Sequence, residues 1–187
     1  GLDGGSGEAI MGLMRAAERE RFLGRIAIIA GAFALAYWQW NAVWLHPLRV
    51  LMTLIHEFSH GFAGLLTGGS IDKIEIGAFG GRCWVSGGWR WAVIPAGYLG
   101  SMAVGCAVIM LSCRTRIHKF VSLALGCFLV AVTLLYVRTT SGLVYGTLVG
   151  AALASSGWWL PEDLNGLLLS VIGVVSSTLW SIRTCPI

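Results

Sequence analysis

The sequence predicts an all-α polytopic membrane protein of five to six transmembrane helices, with a small β-hairpin after the helix that carries an H-E-x-x-H motif. Three observations predict it. Hydrophobic residues make up 56% of the 187 and charged residues only 12%, with a mean hydropathy of +0.76, whereas a soluble domain is about a quarter charged. Apolar runs recur along the chain, several near the roughly 20 residues a helix needs to cross a hydrocarbon core of about 30 Å. One intervening segment, residues 70–90, instead alternates apolar and polar side chains and is rich in glycine, the pattern of paired strands.

Two parts follow from composition: a polar segment, residues 1–22, and a membrane-embedded domain, residues 23–187. The first residue is Gly1 and not methionine, so a native start or targeting segment is expected ahead of it, and the membrane of residence is not readable. Residues 16–25 carry mixed charge and are expected to form a short helix at the membrane surface. They lead into an apolar run at 26–45 whose far end holds Tyr37, Trp38, Trp40 and Trp44, side chains suited to the headgroup region. His46-Pro47 is expected to break that helix. A second helix is expected over 49–67, then the hairpin, with strands around Ile71–Ile76 and Cys83–Val85 and a turn at Phe79-Gly80-Gly81. Further spans are expected at 91–113, 120–137, 142–154 and 165–182, separated by 114–119, 138–141 and 155–163. Arg15, Arg19, Arg21 and Arg25 point the start toward the cytoplasm. If every run crosses once, the basic loop 114–119 falls outside; a motif helix and hairpin that re-enter without crossing would remove that conflict.

The motif is His56-Glu57-Phe58-Ser59-His60. Histidines four apart on a helix lie on one face about 6 Å from each other, so both imidazoles can reach one Zn²⁺, and the adjacent Glu57 can serve as general base on a water at the metal. After Arg49, the only ionisable groups of the 49–67 helix belong to this motif. Charges inside a membrane are costly, so such residues are functional candidates by default. The bland alternative is a chance string whose imidazoles bridge neighbouring helices. Haem ligation is a weaker one, because haem in a bundle takes an axial ligand from each side and would leave Glu57 without a role. A catalytic zinc wants three protein ligands, and outside the polar start the available groups are Asp72, Glu75, Glu162, Asp163, His46 and His118. Asp163 in Pro161-Glu162-Asp163-Leu164-Asn165-Gly166 also reads as a helix N-cap, and Asp72 and Glu75 read as solvated hairpin residues.

Other patterns point to packing. Gly61, Gly64 and Gly68, like Gly142, Gly146 and Gly150, are spaced to let another backbone approach. The five cysteines, Cys83, Cys106, Cys113, Cys127 and Cys185, include no C-x-x-C pair, and three sit in apolar runs where a thiol behaves as a small hydrophobe. Trp158 and Trp159 read as an interfacial belt. The formal net charge of +4 comes without a basic run, so nucleic acid is not expected as a partner; the expected partners are the lipid bilayer and a membrane-spanning peptide or protein.

The segment HEFSHGFAGLLTGGSIDKIEIGAFGGRCWVSGGWRWAVIPAGYLGSMAVG, residues 56–105, resembles the site-2-protease-like intramembrane metallopeptidases, and looks closest to their plant, algal and fungal branch. The combination of HEFSHG, T-G-G, a glycine-rich hairpin and A-G-Y-L-G is more specific than the zinc motif alone. The resemblance implies that His56 and His60 bind zinc, that Glu57 is the catalytic acid/base, and that the substrate is a membrane-embedded peptide. The family normally takes its third ligand from an aspartate on a later membrane helix. Here no L-D-G follows, and Ser181-Ile182 leads into Arg183-Thr184-Cys185-Pro186-Ile187 where an acidic segment is the pattern. Three readings stay open: an altered or truncated end, substitution by Asp163, or a relative that no longer cleaves.

The expected function is therefore a zinc-dependent intramembrane endopeptidase. The alternatives are a catalytically inactive relative that binds or chaperones membrane segments, and a small transporter using His56 and Glu57 as a proton relay. An edge of the hairpin is expected to capture an unwound substrate strand, with Ile74→Pro as its probe.

Overall fold

The computed structural model describes residues 4–77, 80–112 and 117–183, with side chains over 11–77, 80–112 and 117–178. Six α-helices and one two-stranded antiparallel sheet occur in the order α1 (Gly4–Trp38), α2 (His46–Leu66), β1 (Ser70–Ile76), β2 (Gly81–Ser86), α3 (Arg90–Ser112), α4 (His118–Tyr136), α5 (Thr140–Trp159) and α6 (Glu162–Arg183), with a 3₁₀ turn at Val43–Leu45 before α2. Among the described residues, three helical segments are long and apolar enough to cross a membrane: Met11–Trp38, Arg90–Ser112 and His118–Tyr136.

The expected surface helix at 16–25 and the following span are one continuous helix, α1. No proline interrupts that stretch, and Gly24 and Gly31 lower helix propensity without breaking it. Pro47 marks a boundary as expected, and it does so by opening α2, where it occupies the first turn; a proline there forfeits only an N–H that has no helical partner. Residues Arg49 through Glu57 of α2 are buried without interruption, which makes this helix the axis of the bundle.

The end of α2 follows from Gly68. Its φ of +85° is a left-handed conformation that costs glycine little, and it lets Gly69 N–H donate to Gly64 O at 2.8 Å and Gly68 N–H to Leu65 O at 3.2 Å. This Schellman arrangement closes the helix and turns the chain into the hairpin. The three glycines grouped in the sequence thus divide their roles. Gly61 and Gly64 receive hairpin side chains, since a methyl on either would lie 2.5 Å from Ile71 Cδ1 or Val85 Cγ1, while Gly68 faces open space.

In the hairpin, Ile74 pairs with Cys83 and Glu75 with Arg82, with a bulge between Ile71 and Lys73. Of the expected turn, Phe79 lies outside the described residues, and Gly77 N–H donates to Gly80 O at 2.8 Å. The outer edge of β1 is occupied. Arg138 N–H donates to Ile74 O at 3.0 Å, and the Thr139 hydroxyl faces both the N–H and the carbonyl of Ile76 at 3.1 Å. Ile74 is completely buried, so Ile74→Pro would break the junction with the α4–α5 connection and says nothing about an added strand. Among the described residues no strand pairs with the outer edge of β2.

The later helices run longer than their apolar cores. The segment 155–163, expected as a connection, is helical as far as Trp159. Ser155 and Ser156 fit inside the helix because each hydroxyl donates to a carbonyl three residues back, at 3.0 and 2.7 Å. Pro161 then stops it, with Leu160 held extended. Gly142, Gly146 and Gly150 are all buried. A methyl at Gly146 would strike Thr133 of α4, and one at Gly150 would strike Val130, so the stripe serves close packing as read.

Candidate metal centre

The motif histidines sit midway along α2, where α3 crosses it. His56 is buried and His60 half-buried, and their Nε2 atoms lie 3.2 Å apart with the rings at 86° to one another. Two nitrogens bound to one tetrahedral zinc at about 2.0–2.1 Å stand roughly 3.3 Å apart. The pair therefore already has the separation that a shared metal would impose.

The rings are held by α3. His60 Nδ1 lies 2.7 Å from Val93 O; a carbonyl can only accept, so Nδ1 carries the proton, and in the neutral ring the lone pair is left on Nε2. This is the way an outer hydrogen bond sets the tautomer of a metal-binding histidine. Tyr98 packs its ring against His56, edge to face, with centroids 4.9 Å apart. Between Val93 and Tyr98 comes Gly97. A methyl there would press into both Nε2 atoms, 2.6 Å from that of His56 and closer still to that of His60, so glycine keeps a side chain out of the space beside the two ring nitrogens. The chemistry and spacing of the two donors fit zinc, and the cradle is one a side chain would fill.

Glu57 projects toward the hairpin. It is buried, and the Cys83 backbone N–H and the Arg82 guanidinium both face its carboxyl group. The contact depends on Gly81, since a methyl at that position would lie 2.8 Å from Glu57 Cγ and 2.5 Å from Thr53 Cγ2. Burial, with the nearby Glu57 charge second, pushes the Cys83 thiol up to about 12.

The groups available as a third ligand are committed elsewhere. The His46 ring stacks edge-on against Tyr145 at 4.5 Å, about 15 Å along α2 from His56 at 1.5 Å per residue. Asp72 accepts from the Ser86 hydroxyl. Glu75 accepts from Lys73 Nζ at 2.8 Å and Trp84 Nε1 at 3.3 Å, bonds that hold its carboxyl below the usual range. His118 lies between backbone carbonyls of Ser112 and Glu162, and the Glu162 side chain is exposed. Asp163 is no N-cap: α6 begins at Glu162, which puts Asp163 inside the first turn, where a negative charge suits the helix dipole, and it pairs with Arg25 at 2.6 Å. Among the described residues, no group of three His, Cys, Asp or Glu side chains converges on a metal position.

Sequence reasoning missed the contribution of α3. Val93 acts through its backbone, which no residue type reveals, and Gly97 through the lack of a side chain. The one available signal was the Gly97-Tyr98 pair in the A-G-Y-L-G string, a glycine beside an aromatic in an otherwise aliphatic run.

Searches of curated proteins and of solved structures found no match. The family described as Peptidase M50B-like matches residues 28–185, a stretch that takes in the last part of α1, the hairpin and helices α2 to α6, and the chain belongs to that family.

Proposed function

We propose that the chain is a multi-pass, zinc-dependent intramembrane endopeptidase that hydrolyses peptide bonds of membrane-embedded substrates, with His56 and His60 as metal ligands and Glu57 as general acid/base. The observation that carries this reading is the 3.2 Å convergence of the two Nε2 atoms, with the His60 tautomer fixed by Val93, in a chain of this family. Bound zinc would supply Lewis-acid polarisation and make a water nucleophilic near neutral pH.

The remaining work falls to the chain. Glu57 takes a proton from the attacking water and returns it to the leaving amine. Burial of the surrounding α2 residues excludes bulk water from that exchange. A helical substrate hides its carbonyls in internal hydrogen bonds and has to unwind, and β2 offers the unwound stretch a place to pair. Side-to-side alternation in an antiparallel ladder turns the Gly81, Cys83 and Val85 backbone groups to the outer edge, the edge on which Cys83 N–H faces Glu57. A strand added there would run past the general base.

Glu57→Gln tests the catalytic assignment. Turnover of a membrane-spanning substrate should fall at least about 10²-fold while zinc content holds; turnover within twofold of wild type would remove Glu57 from the mechanism, and binding that survives without turnover separates the peptidase from an inactive relative. Val85→Pro, which removes one outward N–H from β2, should slow cleavage of a helical substrate with the protein still folded. Unchanged cleavage would rule out edge pairing.

A further inference from the structure

The α1–α6 side of the bundle has a different construction from the motif side. Only 6% of the apolar window of α1 is buried, so this helix leans on the bundle without being packed into it. Between α1 and the start of α6 lies a cavity of about 700 Å³, whose lining includes Glu18, Arg21, Phe22, Arg25, Asp163 and Leu167. Its charged residues are two arginines and two carboxylates. Arg25 and Asp163 satisfy each other at 2.6 Å. Among the described residues, Arg21 and Glu18 have no ionic partner.

The depth of the cavity follows from the sequence. After Arg25, α1 has no Asp, Glu, Lys or Arg as far as Trp38, and after Asp163, α6 has none before Arg183. The Arg25–Asp163 pair thus marks the last charged level on both helices, the level of the headgroups, with an apolar wall below it. Ile28, Leu164 and Leu167 line the cavity at and below this level, a surface suited to an acyl chain.

We infer that this cavity is a binding site for a zwitterionic phospholipid with a primary-amine headgroup, of the phosphatidylethanolamine class. Arg21 meets the phosphate and Glu18 the ammonium, while Phe22 and Leu167 flank the upper acyl chain. The lining is charge-neutral, which disfavours an anionic lipid. Recognition of choline uses a cage of aromatic rings, and among the described residues Phe22 is the one aromatic side chain in the lining. An ammonium that donates to a carboxylate suits the site better.

The test is native mass spectrometry of the full chain in detergent, titrated in turn with phosphatidylethanolamine, phosphatidylcholine and phosphatidylglycerol of identical acyl chains. Phosphatidylethanolamine should be retained best, and Glu18→Gln with Arg21→Gln should weaken it by roughly fivefold, leaving the other two unchanged. Both positions are exposed on α1, so the double variant is expected to fold. Equal or stronger retention of phosphatidylglycerol or phosphatidylcholine, or undiminished phosphatidylethanolamine in the variant, would overturn the assignment.

Discussion

The molecule buries two polar centres built on histidine, and they are built in opposite ways. At His56 and His60, ring nitrogens converge on one another at 3.2 Å, and a glycine holds a side chain away from the meeting point. At the other centre, His118 is 2% exposed and bridges Ser112 O at 2.8 Å and Glu162 O at 3.0 Å, tying the end of α3 to the start of α6. Beside it, Asn165 Oδ1 accepts from the Ser122 hydroxyl at 2.8 Å. Every group named at this second centre points to a protein partner, so it is closed. At the first, the two ring nitrogens meet beside Gly97, a position that presents no side chain to them. Burial of a polar side chain inside an apolar bundle is therefore a poor indicator of chemistry by itself; convergence of two ring nitrogens beside a position kept free of a side chain is the informative feature.

Substitutions can break each half of this comparison separately. The largest effect is expected for Gly97→Ala, which fills the space between the Nε2 atoms: zinc bound per chain should drop below about a tenth of wild type with helix content by circular dichroism unchanged, and retained zinc would show that the space is not the metal position. A smaller effect, on stability alone, is expected for His118→Leu. It keeps the volume but removes the ring nitrogens that face the Ser112 and Glu162 carbonyls, which should cost about 1–3 kcal/mol in unfolding free energy while zinc content stays at the wild-type level. Loss of zinc in that variant would mean that the two centres are coupled through α3 and not independent.

Much of the architecture was legible because membrane burial writes long apolar runs into the sequence, and because Pro47 marks a boundary between two of them; that Gly68 closes α2 was not read from it. The helix boundaries were less so. Ser155 and Ser156 read as a connection, yet each hydroxyl finds an acceptor within its own helix, a local solution that residue type does not announce. Nor does the charge pattern of residues 16–25 mark a break, since α1 runs straight through it. The motif pair was plain from its four-residue spacing. The α3 wall was hidden because its contribution is backbone and absent volume. Asp163 attracted notice as a carboxylate near a helix start, and the structure spends that charge on Arg25, a partner 138 residues away that spacing cannot reveal.

The most direct test of the central claim, that His56 and His60 together hold one zinc, is metal content per chain in detergent-purified protein beside a His56→Ala, His60→Ala double variant. About one zinc in the wild type and none in the variant is the expected result. A folded wild type without zinc, or a double variant that keeps it, would contradict the account.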